Sequence, residues 1–315
     1  MDKKLIKVHL ALFTVNLIYA INYVVASKIM KDNYIQPFAI ILLRVWGATL
    51  LFWLLRRLVI REKVQKISDY FRFAYCALFG VIINQLLFFK GLSMTVPIDA
   101  SIILTSSPIV VLMVSVLIAK EKLTILKTVG ILFGATGAVM LIGGGDFSFK
   151  GENTFGNLLV FINASSYGIY LVVVKPLMRR YQAYTVISWV FLFGCIGVFP
   201  FGIKEFLEVN WSAMPLWVYL TLAFIVVGVT YLAYLLNAWA LQFVNSTMVG
   251  FYIYLQPVLT SIIAVLAAQD EVTPKKILFS LLIFAGIFLV SRESSVEVKV
   301  GKEDEKPETL ETAQK

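Results

Sequence analysis

A chain of 315 residues that is 59% hydrophobic and only 15% charged, with a mean hydropathy of +0.84, has too little polar sequence to cover a soluble domain. Lipid-facing surfaces must also be apolar, and a membrane accounts for the excess. The formal charge of +9 does not point to nucleic acid, because Lys and Arg stand in short loops between apolar segments, with no basic face and no aromatic-basic interleaving.

Hydropathy divides the chain into ten predicted helices, most of them reaching the roughly 20 apolar residues that span the hydrocarbon core. The first, 8–30, follows Lys3-Lys4-Leu5-Ile6-Lys7, which resembles a signal-peptide n-region. The apolar stretch is too long for one and lacks a small-residue cleavage site, so it reads as an uncleaved membrane helix. Asn16, Tyr19 and Tyr23 recur on it at i, i+3 and i+7, one helical face. The lone histidine, His9, stands at its start as an interfacial residue. The second helix, 36–58, contains Arg44, the sole charge deep inside an apolar span. The third, 73–93, carries Asn84 and Gln85, and the fourth, 97–119, carries Ser101, Thr105 and Pro108. The fifth, 125–143, has Gly130, Gly134 and Gly137 at spacings that favour close helix packing, with self-association the lesser reading, and stops at Gly143-Gly144-Gly145.

The sixth helix, 156–178, bears Asn163, Ser166, Tyr167 and Tyr170 on one face. After the seventh, 184–203, the eighth, 215–241, adds Thr230, Tyr234 and Asn237. The ninth, 246–268, adds Tyr252, Gln256 and Pro257. Thr273-Pro274 reads as the cap of the tenth, 275–291, and Thr124 as the cap of the fifth. Beyond Arg292 the composition turns charged and polar, so 292–315 is expected to be a disordered cytoplasmic tail.

The chain contains itself twice. Pro108, Glu121, Thr124, Lys127 and Gly137 meet Pro257, Asp270, Thr273, Lys276 and Gly286 at an offset of 149. Asn16, Tyr23 and Lys28 meet Asn163, Tyr170 and Lys175 at 147. The expected domains are therefore 1–145, a first repeat of five helices, 146–291, a second, and the tail. With the N-terminus inside, fifteen Lys and Arg residues fall in cytoplasmic loops and seven opposite, which predicts both termini inside. Five helices is an odd number, so the second repeat enters the membrane from the other side. Lys120-Glu121-Lys122 inside accordingly becomes Gln269-Asp270-Glu271 outside. The fold class read from this is an all-α integral membrane protein, ten transmembrane helices in two inverted five-helix repeats around a central cavity.

Polar side chains in hydrocarbon are costly, so their clustering carries information. The stripes on the first and sixth helices would face each other across a pseudo-two-fold axis and line a cavity; alternatively they join helices by hydrogen bonds. Together with Arg44, Asn84, Gln85, Ser101, Thr105, Tyr234, Asn237, Tyr252 and Gln256 they form the candidate solute site. Arg44 either holds a carboxylate or phosphate, or bonds a backbone carbonyl or helix end; its second-repeat counterpart falls in apolar Trp189-Val190-Phe191. Pro108 and Pro257 free the carbonyls of Leu104 and Ile253 and read either as hinges or as kinks satisfied by neighbouring Ser and Thr.

No acid lies centrally in any span, with Asp99, Glu121 and Asp270 near the ends. No nucleophile–base pair and no phosphate loop appears; Cys76 and Cys195 stand apart in apolar segments and make neither a disulfide framework nor a metal site. Catalysis is therefore not expected, nor any metal or cofactor, and facilitated or exchange transport is expected in preference to proton antiport.

The end of each repeat, a mid-helix Pro, an acid-x-x-Thr turn and a glycine-bearing closing helix, resembles the drug/metabolite transporter superfamily in its EamA-type ten-helix branch. Here these are Pro108, Glu121-Lys122-Leu123-Thr124 and Gly137, then Pro257, Asp270-Glu271-Val272-Thr273 and Gly286. Arg44 matches an Arg common in that family's second helix, and Asp270 stands where Glu is usual. The resemblance spans about 8–291 and implies a basket-shaped bundle that works by alternating access of its two halves. The motifs mark the fold and not the solute. The expected function is a secondary transporter of a small polar organic metabolite, amino-acid-like or related, exporting across a bacterial inner membrane. The alternative is a membrane receptor or sensor that binds such a solute without moving it. The expected partners are the solute and the bilayer, with monomer and homodimer both open.

Overall fold

The computed structural model describes residues 3–59, 62–107, 109–110, 113–114, 124–142, 151–240, 252–253 and 255–303, and among these every regular element is helical. Among the described residues six segments are long and apolar enough to cross a membrane: Ile6–Lys31, Pro37–Leu58, Ile67–Ser93, Thr154–Val173, Ala183–Leu207 and Leu216–Asn237. The protein is an all-α, multi-pass membrane protein. Its outward surface has the composition this demands, with Leu50 71% and Leu220 62% exposed on helices that have no aqueous reason to show them.

In chain order the helices are α1 (Lys3–Lys31), α2 (Pro37–Val59), α3 (Ile67–Ser93), α4 (Pro97–Leu104) and α5 (Ile125–Ile142). There follow α6 (Thr154–Val173), α7 (Ala183–Leu207), α8 (Leu216–Ala223, continued as Phe224–Leu232 and Ala233–Ala240), α9 (Leu255–Leu266) and α10 (Pro274–Glu303). They fall on the ten predicted segments, six at full spanning length. Pro108, Glu121-Lys122-Leu123 and Gly143-Gly144-Gly145 lie outside the described residues. At the far end α10 continues past Arg292 to Glu303, so the stretch expected to be disordered is helical in its first half. No Gly or Pro interrupts residues 287–300, and nothing in that run stops a helix already formed. Residues 304–315 lie outside the described part.

Two helix pairs build the frame, and both are antiparallel. Along α2 and α7, Phe38 and Leu42 lie against Gly202, Trp46 stacks on Phe199, Thr49 Oγ1 donates to the Phe191 carbonyl, and Trp53 Nε1 donates to that of Ser188. At one end Glu205 Oε2 accepts from the backbone N–H groups of Phe38 (2.7 Å) and Ala39 (3.2 Å), satisfying donors that the start of α2 would leave unpaired. At the other end Glu62 Oε2 accepts from Gln182 N at the start of α7, at 3.0 Å. The α5–α10 pair closes on glycine. A Cβ on Gly286 would stand 2.5 Å from the Gly130 carbonyl oxygen and from Gly134 N, and one on Gly137 would stand 2.9 Å from the Phe279 carbonyl oxygen and 3.0 Å from Ile283 N. At the sequence offset of 149 these two contact sets are the same contact seen from either helix. In lipid no hydrophobic drive presses helices together, so backbone proximity at glycine supplies the packing.

The remaining packing has the same reciprocity. The main contacts of α1 with α8 and α9 are matched by those of α6 with α3 and α4, and the contact of α2 with α8 by that of α7 with α3. Two π-helical segments interrupt matched helices, Leu78–Ile83 in α3 and Phe224–Leu232 in α8. The fourth helix breaks one turn before Pro108. Thr105 and Ser106 N–H groups turn back to Ile102 and Ile103, and Ser107 Oγ donates to the Leu104 carbonyl at 2.7 Å. That is the carbonyl a proline at 108 strips of its partner, and the neighbouring hydroxyl satisfies it.

Replacing Gly286 by Val should cost about 1–3 kcal/mol through overpacking against the α5 backbone. Thermal unfolding in detergent measures this; the lipid-facing Ala135→Val, on an exposed surface of the same pair, should leave the midpoint unchanged.

A candidate solute site at the centre of the bundle

The stripes predicted on α1 and α6 do converge, but each divides its residues between two tasks. Tyr19 of α1 is an electrostatic neighbour of Tyr167 of α6, Tyr234 of α8 and Arg44 of α2, and Tyr170 is a neighbour of Tyr167 and Tyr234. The rings of Tyr167 and Tyr170 lie 6.0 Å apart, and Tyr234 meets Phe191 edge-on at 5.4 Å. The π segment of α3 makes room for this group: a Cβ on Gly80 would stand 2.5 Å from Tyr170 Cδ2. Tyr19, Tyr167 and Tyr234 are half-buried and Tyr170 is buried beside them. Among the described residues none of these four phenols has a hydrogen-bond partner. Arg44 completes the group: its Nε donates to Thr230 Oγ1 at 2.5 Å, and its guanidinium lies 5.4 Å from the centroid of the Phe89 ring. Of the two readings of Arg44, none of its described hydrogen bonds reaches a backbone carbonyl or a helix end.

The amides lie to either side and join helices. Gln256 of α9 donates from Nε2 to Asn16 Oδ1 (2.9 Å) and accepts from the Tyr23 hydroxyl at Oε1 (3.4 Å). Asn163 Nδ2 donates to the Asn84 carbonyl at 2.6 Å, Asn84 Nδ2 returns a 3.5 Å contact to the Asn163 carbonyl, and Gln85 Nε2 donates to Asn84 Oδ1 at 2.9 Å. Ser166 Oγ donates to the Phe79 carbonyl, inside the π segment. Asn16 thus reaches from the first half to the second, and its match Asn163 reaches back.

Four predicted residues sit apart from this centre or lack a described partner in it. Ser101 and Thr105 spend their hydroxyls on the carbonyls of Ile98 and Ile102 in their own helix. Tyr252 pairs with His9, whose Nδ1 lies 2.8 Å from its hydroxyl near the start of α1, and Asn237 is half-buried on α8 with no described bond. Of the predicted hinges, Pro257 is buried in the first turn of α9 as described from Leu255.

Sequence reasoning missed the ionic groups at the two ends. Asp69, 0% exposed at the start of α3, receives Arg180 Nη1 at 2.6 and 2.7 Å and the Tyr181 hydroxyl at 2.7 Å, while Tyr181 also accepts from Gln65 N at 3.0 Å. The carboxylate holds the Arg180 guanidinium above its ordinary value. A signal was available: Asp69 lies at i relative to buried Phe73 and Cys76, on the inward face of a strongly amphipathic helix. At the other end Lys276 Nζ lies 3.1 Å from Asp99 Oδ1 and 2.7 Å from Asp270 Oδ1, and Asp270 Oδ2 accepts from Ile98 N at 3.1 Å. Asn157 Nδ2 donates to Asp99 Oδ2 at 3.5 Å, and Asn157 Oδ1 accepts from the Thr95 hydroxyl.

The fold defines a polytopic helical membrane protein, with a cluster of tyrosines and one arginine contributed by α1, α2, α6 and α8. A family model, the EamA-like transporter family, matches residues 6–143 and again 154–292, and the chain belongs to that family. Its relatives include a protein of Archaeoglobus fulgidus named an uncharacterized transporter, 24% identical over 292 residues, covering 90% of this chain and 97% of the relative. Another is the uncharacterized transporter YoaV of Bacillus subtilis, 25% identical over 191 residues, covering 60% of this chain and 64% of the relative. A solved crystal structure shares the fold with a TM-score of 0.56 at 20% identity, over 90% of this chain and 95% of that one.

Asp69→Ala should lower stability by about 2 kcal/mol, because it strands Arg180 and Tyr181 while Arg180 keeps some solvent. Arg72→Ala should cost less than about 0.5 kcal/mol, since Arg72 lies 4.0 Å from Asp69 and is half-exposed. Equal midpoints for the two variants in thermal unfolding would refute the assignment.

Proposed function

We propose that the protein is a secondary transporter that exports a small polar organic metabolite, amino-acid-like or related, by alternating access of two inverted repeats. The observation that carries the reading is the tyrosine–arginine centre, to which α1 and α2 of the first half and α6 and α8 of the second contribute unpaired polar groups. Family membership and the names of the relatives support transport. The antiparallel α2–α7 and α5–α10 pairs, with Gly137 and Gly286 in interchangeable roles, support inversion of the second repeat. The excess of Lys and Arg in alternate loops supports an inner-membrane protein with both termini in the cytoplasm. On that orientation the Asp69–Arg180 group lies at the cytoplasmic end and the Asp99–Lys276–Asp270 group at the opposite end, each joining the two halves.

Phenols, amides and one guanidinium suit a neutral or zwitterionic solute better than a metal ion. The buried carboxylates Asp69 and Asp99 are held by Arg180 and Lys276 at the ends, away from the centre, so the proposed mode is facilitated or exchange transport.

Reconstitution into liposomes tests the reading. Solute counterflow is expected within a panel of amino acids, nucleosides and related metabolites, and Tyr19→Phe with Tyr234→Phe should reduce it by about tenfold through loss of roughly 1–2 kcal/mol of hydrogen bonding. A solute that stabilises the detergent-purified protein yet never crosses the bilayer would replace transport with sensing.

A further inference from the structure

Arg44 carries a charge that the described residues do not neutralise. It is buried mid-way along α2 with 5% of its surface exposed, and no carboxylate among the described residues lies within 4.0 Å of it. Thr230 takes Nε, and the Phe89 ring covers one face of the guanidinium. The Nη edge, which carries four of the five N–H donors, has no hydrogen-bond partner among the described residues. An unpaired guanidinium in the middle of a membrane span is costly, and such residues mark ligand or ion paths. The groups beside it are Tyr19 and Tyr234, half-buried neutral phenols.

We propose that Arg44 anchors a carboxylate of the transported solute, its free Nη edge donating to the two oxygens in a fork while the Tyr19 and Tyr234 hydroxyls also donate to them. The proposal rests on the transport reading and names the ligand chemistry of that same site. Thr230 sets the fork: it lies in the π segment of α8, its own hydroxyl donates to the Ile225 carbonyl at 3.0 Å, and it fixes Nε so that only the Nη edge is left for the solute. Charge counting narrows the class further. Among the described residues Arg44 is the only cation that neighbours Tyr19 and Tyr234 electrostatically. One carboxylate is neutralised by it, whereas a phosphate monoester dianion would leave a surplus charge in a water-poor site.

The test uses the full-length protein in liposomes and compares matched probes: L-amino acids and simple monocarboxylates, their carboxamides, nucleosides, and sugar phosphates. The expected result is counterflow of an acid at least tenfold faster than of its own amide, with sugar phosphates slower than the acid. Arg44→Gln should abolish the acid preference and Arg44→Lys should keep a fraction of it, because an ammonium retains the charge without the fork. If Arg44→Gln fails to fold, the acid-to-amide ratio of the unaltered protein still decides. An amide carried as fast as its acid, or flux confined to nucleosides or sugar phosphates, would overturn the carboxylate anchor while transport stands. No flux of any probe would remove both.

Discussion

Hydrocarbon offers no water to a stray polar atom, and the architecture of this protein follows from that one constraint. Each buried hydroxyl, amide and carboxylate must find its partner inside the bundle; here most hydroxyls bond their own helix, while the amides and carboxylates bond mostly to the opposite half. Asn16 meets Gln256, Asn163 meets the backbone at Asn84, Asp69 meets Arg180, and Lys276 meets Asp99. The polar pairs therefore fix how the halves sit together, while apolar packing at glycine provides the close contact within the frame.

Along the bundle axis these pairs are graded. Charges are paired at the ends, amides pair next to them, and the centre gathers four phenols and the Nη edge of Arg44 with no hydrogen-bond partner among the described residues. A core built only for stability would bond these groups or replace them with apolar side chains. The two π segments belong to the same design. In α3 the segment opens space for Tyr170 beside Gly80, and in α8 it presents Thr230 to Arg44. Such insertions into a helix recur at functional sites because they re-aim side chains without ending the helix.

Part of the site was legible in the sequence. Helical periodicity put Asn16, Tyr19 and Tyr23 on one face, and Asn163, Ser166, Tyr167 and Tyr170 on another, which is where the structure has them. Periodicity gives direction but not partner, so it could not separate Tyr19 and Tyr167, which gather with Tyr234, from Asn16 and Asn163, which clasp neighbouring helices. Ser101 and Thr105 looked equally eligible and bond their own helix, a choice open to any short hydroxyl side chain and invisible to spacing. Asp69 was passed over because the third helix was expected to start at 73, which left Asp69 in the loop before it, although its spacing to Phe73 and Cys76 marked the buried face. The π segments leave no mark in hydropathy, which registers how apolar a helix is and not how it is wound.

What the sequence determined by itself was membrane residence, helicity and an internal repeat, because these depend on composition, on backbone groups that lipid cannot satisfy, and on residues matched at fixed offsets. Only the tertiary structure decided which polar groups are paired and which are left open, because that depends on distances between helices far apart in the chain. The duplicated Asn16 and Asn163 could be read as a cavity lining from their spacing alone. Their partners across the bundle show them as clasps around a centre of tyrosines and a single unpaired arginine.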